Sequence, residues 1–165
     1  MKVWFVVIFV FLSSSVYSQK YFSGDGDYSI LINENVTVKH VEITGGGFID
    51  SYILRESGSF AYMVSIAKVK PTSLTSETVY TEEYRQSYLK ECGCKILKQQ
   101  KIVTENFKGI RFAIEAELNG SRVKGLSVST VSSGFLFTIN FVTEESKFTS
   151  HMGEYEKLIR SARFK

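Results

Sequence analysis

The chain has 165 residues, a formal net charge of +3 and no long run of basic residues. Charge scattered in this way leaves no electrostatic footprint for nucleic acid. Aromatic residues make up 14% of the chain, Pro71 is the one proline, and there is no low-complexity tract or internal repeat, which excludes disordered and repeat architectures.

The first eighteen residues read as a secretory signal peptide. Lys2 supplies the positive start, residues 3–12 form an unbroken apolar run, and residues 13–18 are small and polar, with Val16 and Ser18 at the −3 and −1 positions. Cleavage is expected between Ser18 and Gln19. The apolar run is about half the roughly 20 residues that a spanning helix needs, so a leader fits better than an anchor. Cleavage leaves 147 residues with a charge near +2, one domain's worth of chain, and no second long apolar segment. The expected location is therefore outside the cytoplasm, periplasmic or secreted.

Residues 19–27 are polar and are expected to be a flexible lead-in to a single domain over residues 28–165. Residues 28–32 form a short first strand and residues 36–43 a second. Gly45, Gly46 and Gly47 break the chain, and residues 48–54 alternate again. Gly58 marks a turn. Phe60, Tyr62, Val64 and Ile66 then share one strand face, with Ala61, Met63 and Ala67 on the other. Residues 73–91 read as a helix capped by Thr75 or Ser76 and ended by Gly93, with Tyr80, Tyr84 and Tyr88 stepping by four along one face.

Four strands follow. Asn119-Gly120 is the dipeptide favoured in two-residue hairpin turns. A two-residue loop there sets Leu118 opposite Ser121, Glu117 opposite Arg122 and Glu115 opposite Lys124, two pairs of opposite charge. A second turn at Ser133-Gly134 sets Val128 opposite Ile139 and Leu126 opposite Phe141. This register puts Ala113, Leu126, Val128, Phe135, Phe137, Ile139 and Phe141 on one face and Ile110, Phe112, Ile114, Ala116, Leu118, Val123 and Leu136 on the other. A sheet that is apolar on both faces needs cover on both. Phe148, Met152, Tyr155, Ile159 and Ala162 give a closing helix with a packing stripe, capped by Thr143 or Ser146.

The elements run as an opening strand with an Ile-Leu-Ile core, a meander and a mid-chain helix. Then come a strand starting Phe107-Lys108-Gly109-Ile110-Arg111-Phe112, a long hairpin, an aromatic last strand and a helix ending Leu158-Ile159-Arg160-Ser161-Ala162-Arg163-Phe164. Over residues 28–164 this order resembles the PsbP-like fold. That fold is shared by the extrinsic subunit of the photosystem II oxygen-evolving complex, a Ran-binding nuclear import factor and many exported bacterial proteins of unknown function. The resemblance implies an α+β fold, an antiparallel β-sheet covered by helices on both faces (an α/β/α sandwich), and proteins that bind other proteins rather than catalyse. It brings no site residues with it.

Chemistry is sparse. Cys92-Gly93-Cys94 is the most distinctive local feature; in an oxidising compartment it reads as a local structural disulfide, two quiet thiols, or a redox pair. A helix C-terminus disfavours a thiolate, which weighs against the redox reading. His40 and His151 are the only histidines, and zinc on Cys92, Cys94 and a histidine is the one metal set to consider. Asp25 and Asp27 lack the downstream ligands of a calcium loop. No Gly-x-Ser-x-Gly elbow occurs, and Glu82-Glu83, Glu144-Glu145 and Glu154 with Glu156 read as solvated faces. Tyr80, Tyr84 and Tyr88 offer a binding surface if exposed, or a core face if packed on the sheet. Asn35 and Asn119 begin glycosylation sequons. The reading is thus an exported, non-enzymatic protein-binding or assembly module with a protein partner in the cell envelope, no nucleic acid, no cofactor and no metal. The alternative is a thiol-redox protein acting through Cys92 and Cys94.

Overall fold

The computed structural model describes residues 19–24, 26–33, 35–56, 59–69, 73–118 and 120–165. Residues 1–18 with the expected leader, Asp25, Gly58, Pro71 and Asn119 lie outside them.

Turn chemistry fixes the register of the second half of the sheet. Strands β7 (Lys108–Leu118) and β8 (Ser121–Ser132) are joined at Gly120, whose φ of 78° only glycine adopts freely. β8 turns into β9 (Phe135–Glu144) through Ser133 and Gly134, at φ 50° and 76°. Two consecutive positive φ values make the tight turn whose twist suits antiparallel strands. The expected pairs are all present: Leu118 with Ser121, Glu117 with Arg122, Glu115 with Lys124, Val128 with Ile139 and Leu126 with Phe141.

The earlier strands are β1 (Gln19–Gly24), β2 (Tyr28–Asn33), β3 (Val36–Ile43), β4 (Gly47–Glu56) and β5 (Ser59–Val69), and β6 (Lys95–Val103) precedes β7. Seven of these strands make one antiparallel sheet in the order β3-β4-β5-β9-β8-β7-β6. The remaining two, with β10 (Arg163–Phe164), make a small sheet ordered β1-β2-β10. Residues 19–24, expected to be a loose lead-in, instead pair with β2 from Gln19–Asn33 to Gly24–Tyr28.

The helix expected over residues 73–91 is divided. A 3-10 turn spans Thr78–Tyr80 and α1 spans Glu82–Cys92. The cap is Thr81 rather than Thr75 or Ser76: its backbone is extended and its Oγ1 accepts from the Tyr84 amide at 3.2 Å. Thr75 donates its own amide to Thr78 Oγ1 at 2.9 Å, a local bond that competes with helix. Gly93 ends α1 in the left-handed region, as expected. The closing helix α2 (Met152–Ser161) begins later than expected, after a 3-10 turn at Glu145–Lys147. Thr143 does not cap it, because its hydroxyl is buried in β9 and donates to the Ala61 carbonyl at 2.7 Å. Ser146 does not cap it either, since His151 holds the cap position without a side-chain bond.

Two apolar clusters form. The first joins Tyr28, Ile30, Ile32, Tyr52, Val64, Ile66, Leu126, Val128, Ile139 and Phe141 to Tyr155, Leu158 and Ile159 of α2. The second joins Val79, Tyr84 and Tyr88 to Ile110, Phe112 and Ile114 of β7. Phe112 belongs to the second cluster and its neighbour Ala113 packs against the first. Since successive strand residues point to opposite sides, the clusters lie on opposite faces of the sheet. The expectation of a helical roof over both faces goes further than this arrangement. The α1 tyrosines reach the sheet from β7 to β9, whereas on the same face the side chains of β4 and β5 are only half-buried and those of β3 are exposed.

Candidate functional site

The tyrosine ladder is not a ladder in space. Tyr84 and Tyr88 lie on α1 facing the sheet, 8% and 9% exposed. Tyr84 Oη donates to Ser129 Oγ at 2.7 Å, so its hydroxyl is inside and not at the rim. Tyr88 stacks on Phe112 with ring centroids 4.8 Å apart. Burial pushes both phenols above their ordinary pKa. Tyr80 belongs to the 3-10 turn, stays half-buried, and carries Lys101 Nζ 4.7 Å from its ring centre.

Cys92 and Cys94 are joined by a disulfide across Gly93. Both are half-buried against the second cluster, at the junction of α1 and β6. A disulfide offers no thiolate to zinc. Among the described residues no group of three or more His, Cys, Asp or Glu is placed to hold a metal ion. Asp27 instead pairs with Lys68 at 2.7 Å.

The most developed polar cluster is one the sequence did not announce. His40 on β3 and Asp50 on β4 are direct cross-strand partners, with His40 Nδ1 2.5 Å from Asp50 Oδ1. Tyr28 Oη donates to Asp50 Oδ2 at 2.5 Å and also bonds to Tyr52 Oη. Asp50 is 5% exposed, while the imidazole is about half exposed. Burial first, then the hydrogen bond to Asp50, drives the Tyr28 phenol far above its usual range; burial also raises Tyr52. The arrangement satisfies a buried carboxylate and fastens the outermost strand to its neighbour. The signal was present: Phe48, Asp50, Tyr52 and Leu54 alternate on one face, so the carboxylate falls in an apolar row. Replacing Asp50 by Asn should cost about 1–3 kcal/mol, because Tyr28 and His40 then share a weaker, uncharged partner. A urea titration checks this, and an unchanged midpoint would contradict it.

Beyond α1, the second face of the sheet continues as three rows. Thr37, Ile53, Met63 and Val142 form one; Lys39, Ser51, Ser65 and Asn140 the next; Val41, Ile49 and Ala67 the third, which runs into Thr138 beside the Tyr84 hydroxyl. Every one of these residues is at least partly exposed. The two outer rows are largely apolar, and the middle row is polar, with Lys39 at the edge and the small residues Ser51, Ser65 and Asn140 further in. A shallow pocket on the opposite side, between β2 and α2, is walled by Leu31, Ile32, Val64, Phe141 and Leu158. At its edge burial raises the Tyr62 phenol, with the Glu154 carboxylate reinforcing the shift.

No family model and no curated protein sequence matches the chain. Solved structures do. The cyanobacterial PsbP of Synechocystis aligns with a TM-score of 0.65 at 12% identity, over 93% of this chain and 96% of that one. The fold is PsbP-like. A Pseudomonas aeruginosa protein of unknown function matches at TM-score 0.59 and 12% identity, covering 87% of this chain and 94% of its own. LpqN of Mycobacterium tuberculosis, a protein involved in cell envelope biogenesis, matches at TM-score 0.51 and 11% identity, covering 88% and 90%. At such identities a PsbP-like likeness speaks to the fold alone. Among the described residues no helix is long and apolar enough to cross a membrane.

Proposed function

We propose that this protein is exported and works as a non-enzymatic protein-binding or assembly module. The observation that carries the reading is the unroofed half of the sheet, where Ile49, Ile53, Met63 and Val142 flank a row of small polar residues on a rigid antiparallel scaffold. Such a surface suits a protein partner: apolar side chains give contact area, and Ser51, Ser65 and Asn140 give directed hydrogen bonds. In this reading α2 roofs one face, α1 roofs part of the other, and the partner completes the layer. The signal-peptide pattern supports export, and LpqN supports an envelope setting by analogy. The test is retrieval of a stoichiometric partner from the native envelope fraction by the wild-type chain and by a Met63→Glu, Ile53→Glu variant. Loss of the partner with an unchanged circular dichroism spectrum supports the open face. Equal retrieval by both chains refutes it.

A thiol-redox role for Cys92 and Cys94 is the second reading, favoured by one observation, the bond formed between them at the end of α1. Mass spectrometry with and without alkylation, followed by a measured reduction potential, separates the two. A bond that resists the thiol–disulfide buffers of an oxidising compartment assigns the pair to structure.

A further inference from the structure

The two edges of the large sheet are built differently. At one edge, β6 carries Lys95, Lys98 and Lys101, all exposed, and its pairing with β7 is interrupted between Ile96 and Lys98. Lysines and bulges are the ordinary guards against strand addition. At the other edge, β3 pairs with β4 in unbroken register from Val36–Leu54 to Ile43–Gly47. Its outward face is regular, it carries a single lysine, and Val38 and Val41 are 45% and 58% exposed. His40 is tied to Asp50 of β4, which fastens this strand to its neighbour.

The sequence of β3 also says which strand would fit. A twofold axis perpendicular to the sheet keeps each face on its own side, so only residues of the same parity can stand opposite each other. Centring the pairing on Lys39 opposes two lysines. Centring it on His40 opposes two imidazoles and sets Val38 against Glu42. Centring it on Val38 matches no charge. Centring it on Val41 sets valine against valine, and sets His40 of each copy against Glu42 of the other. An imidazole or imidazolium set against a carboxylate and Val packed on Val are the favourable combinations here, and like charges directly opposite are unfavourable. We infer that the protein forms a weak, symmetric dimer by antiparallel pairing of β3 with β3 of a second copy, with Val41 on the twofold axis. The pairing runs along the backbone rim of β3 and meets the open half-face only at its outermost residues such as Val41, so Met63→Glu, Ile53→Glu removes the partner surface while leaving the dimer intact, and the two readings fail separately.

Sedimentation velocity on the full chain, purified after export, should show a monomer–dimer equilibrium at concentrations between roughly 10 µM and 1 mM, the range of a weak interface. Val41 is exposed, so Val41→Lys leaves the core untouched. It places two ammonium groups on the axis and should weaken dimerisation at least about tenfold. Under mild oxidation Val41→Cys should form an intermolecular disulfide faster than Val38→Cys, with peptide mapping locating the bond between the two copies of position 41. A chain that stays monomeric throughout this range overturns the inference, including the case in which β3 instead accepts a strand from a different protein. So does a dimer unaffected by Val41→Lys, or cross-linking that is faster at position 38.

Discussion

Replacing Phe112 by alanine should destabilise the protein by about 3–5 kcal/mol, the range for removing a fully buried phenylalanine and leaving a cavity. Phe112 is 0% exposed, sits at the centre of the β7 row, and carries the Tyr88 ring on it. The neighbouring cluster members Ile110 and Ile114 are held in a β ladder, and Tyr84 is anchored to Ser129, so the walls cannot close on the void. The measurement is urea unfolding followed by circular dichroism. The midpoint should fall with the slope unchanged, since the surface exposed on unfolding is nearly the same. Tyr88→Ala in the Phe112→Ala background should then cost less than Tyr88→Ala alone, because the stacked pair is already lost. Full additivity would show that α1 does not lean on Phe112.

Alkaline pH should unfold the protein well before its ion pairs alone would predict. Burial raises the phenols of Tyr28, Tyr52, Tyr62, Tyr84, Tyr88 and Tyr155 above the ordinary value of about 10. A raised pKa in the folded state means that the unfolded chain releases these protons first. The stabilisation is therefore complete below about pH 10 and is lost as pH rises above it, with no effect on the acid side. Urea midpoints should be level from about pH 7 to 9 and fall steadily beyond about 10. Tyr155→Phe isolates one contributor: its phenol oxygen is buried with only the Arg111 guanidinium close by among the described residues, so the variant should lose little at neutral pH and decline less steeply in base. A midpoint that stays level through about pH 11 would rule out the tyrosines as the cause.

What the sequence disclosed was whatever local chemistry enforces. Glycines at turn positions and matched cross-strand charges were enough to set the register of β7, β8 and β9 pair by pair, and the register dictated which residues face which side. The stripe of Tyr155, Ile159 and Ala162 was legible for the same reason. Expectation and structure part where two local signals compete or where a partner is distant in sequence. Thr75, Ser76, Thr78 and Thr81 can all cap a helix, and only the packed position of Tyr84 selects Thr81. β1 has little pattern of its own and is a strand because β2 offers it an edge. The carboxylate–imidazole–phenol cluster needs β2, β3 and β4 in place at once, and no spacing in the chain encodes Tyr28 beside Asp50. The same applies to Tyr84 and Tyr88, whose periodicity is equal for a buried and an exposed face.

Strand order carries a consequence for how the chain reaches this state. β3, β4 and β5 follow one another in sequence and in space, and so do β6 through β9. The two runs meet along a single seam, where Tyr62 of β5 lies beside Thr143 of β9 and Val69 beside Leu136. Each run can zip from its own hairpins, but the seam must wait for a long excursion of chain to close, and such closures set the pace of folding in sheets of this kind. Until then β5 and β9 are both bare, largely apolar rims. A molecule still folding is thus most vulnerable to misassembly at the middle of its finished sheet.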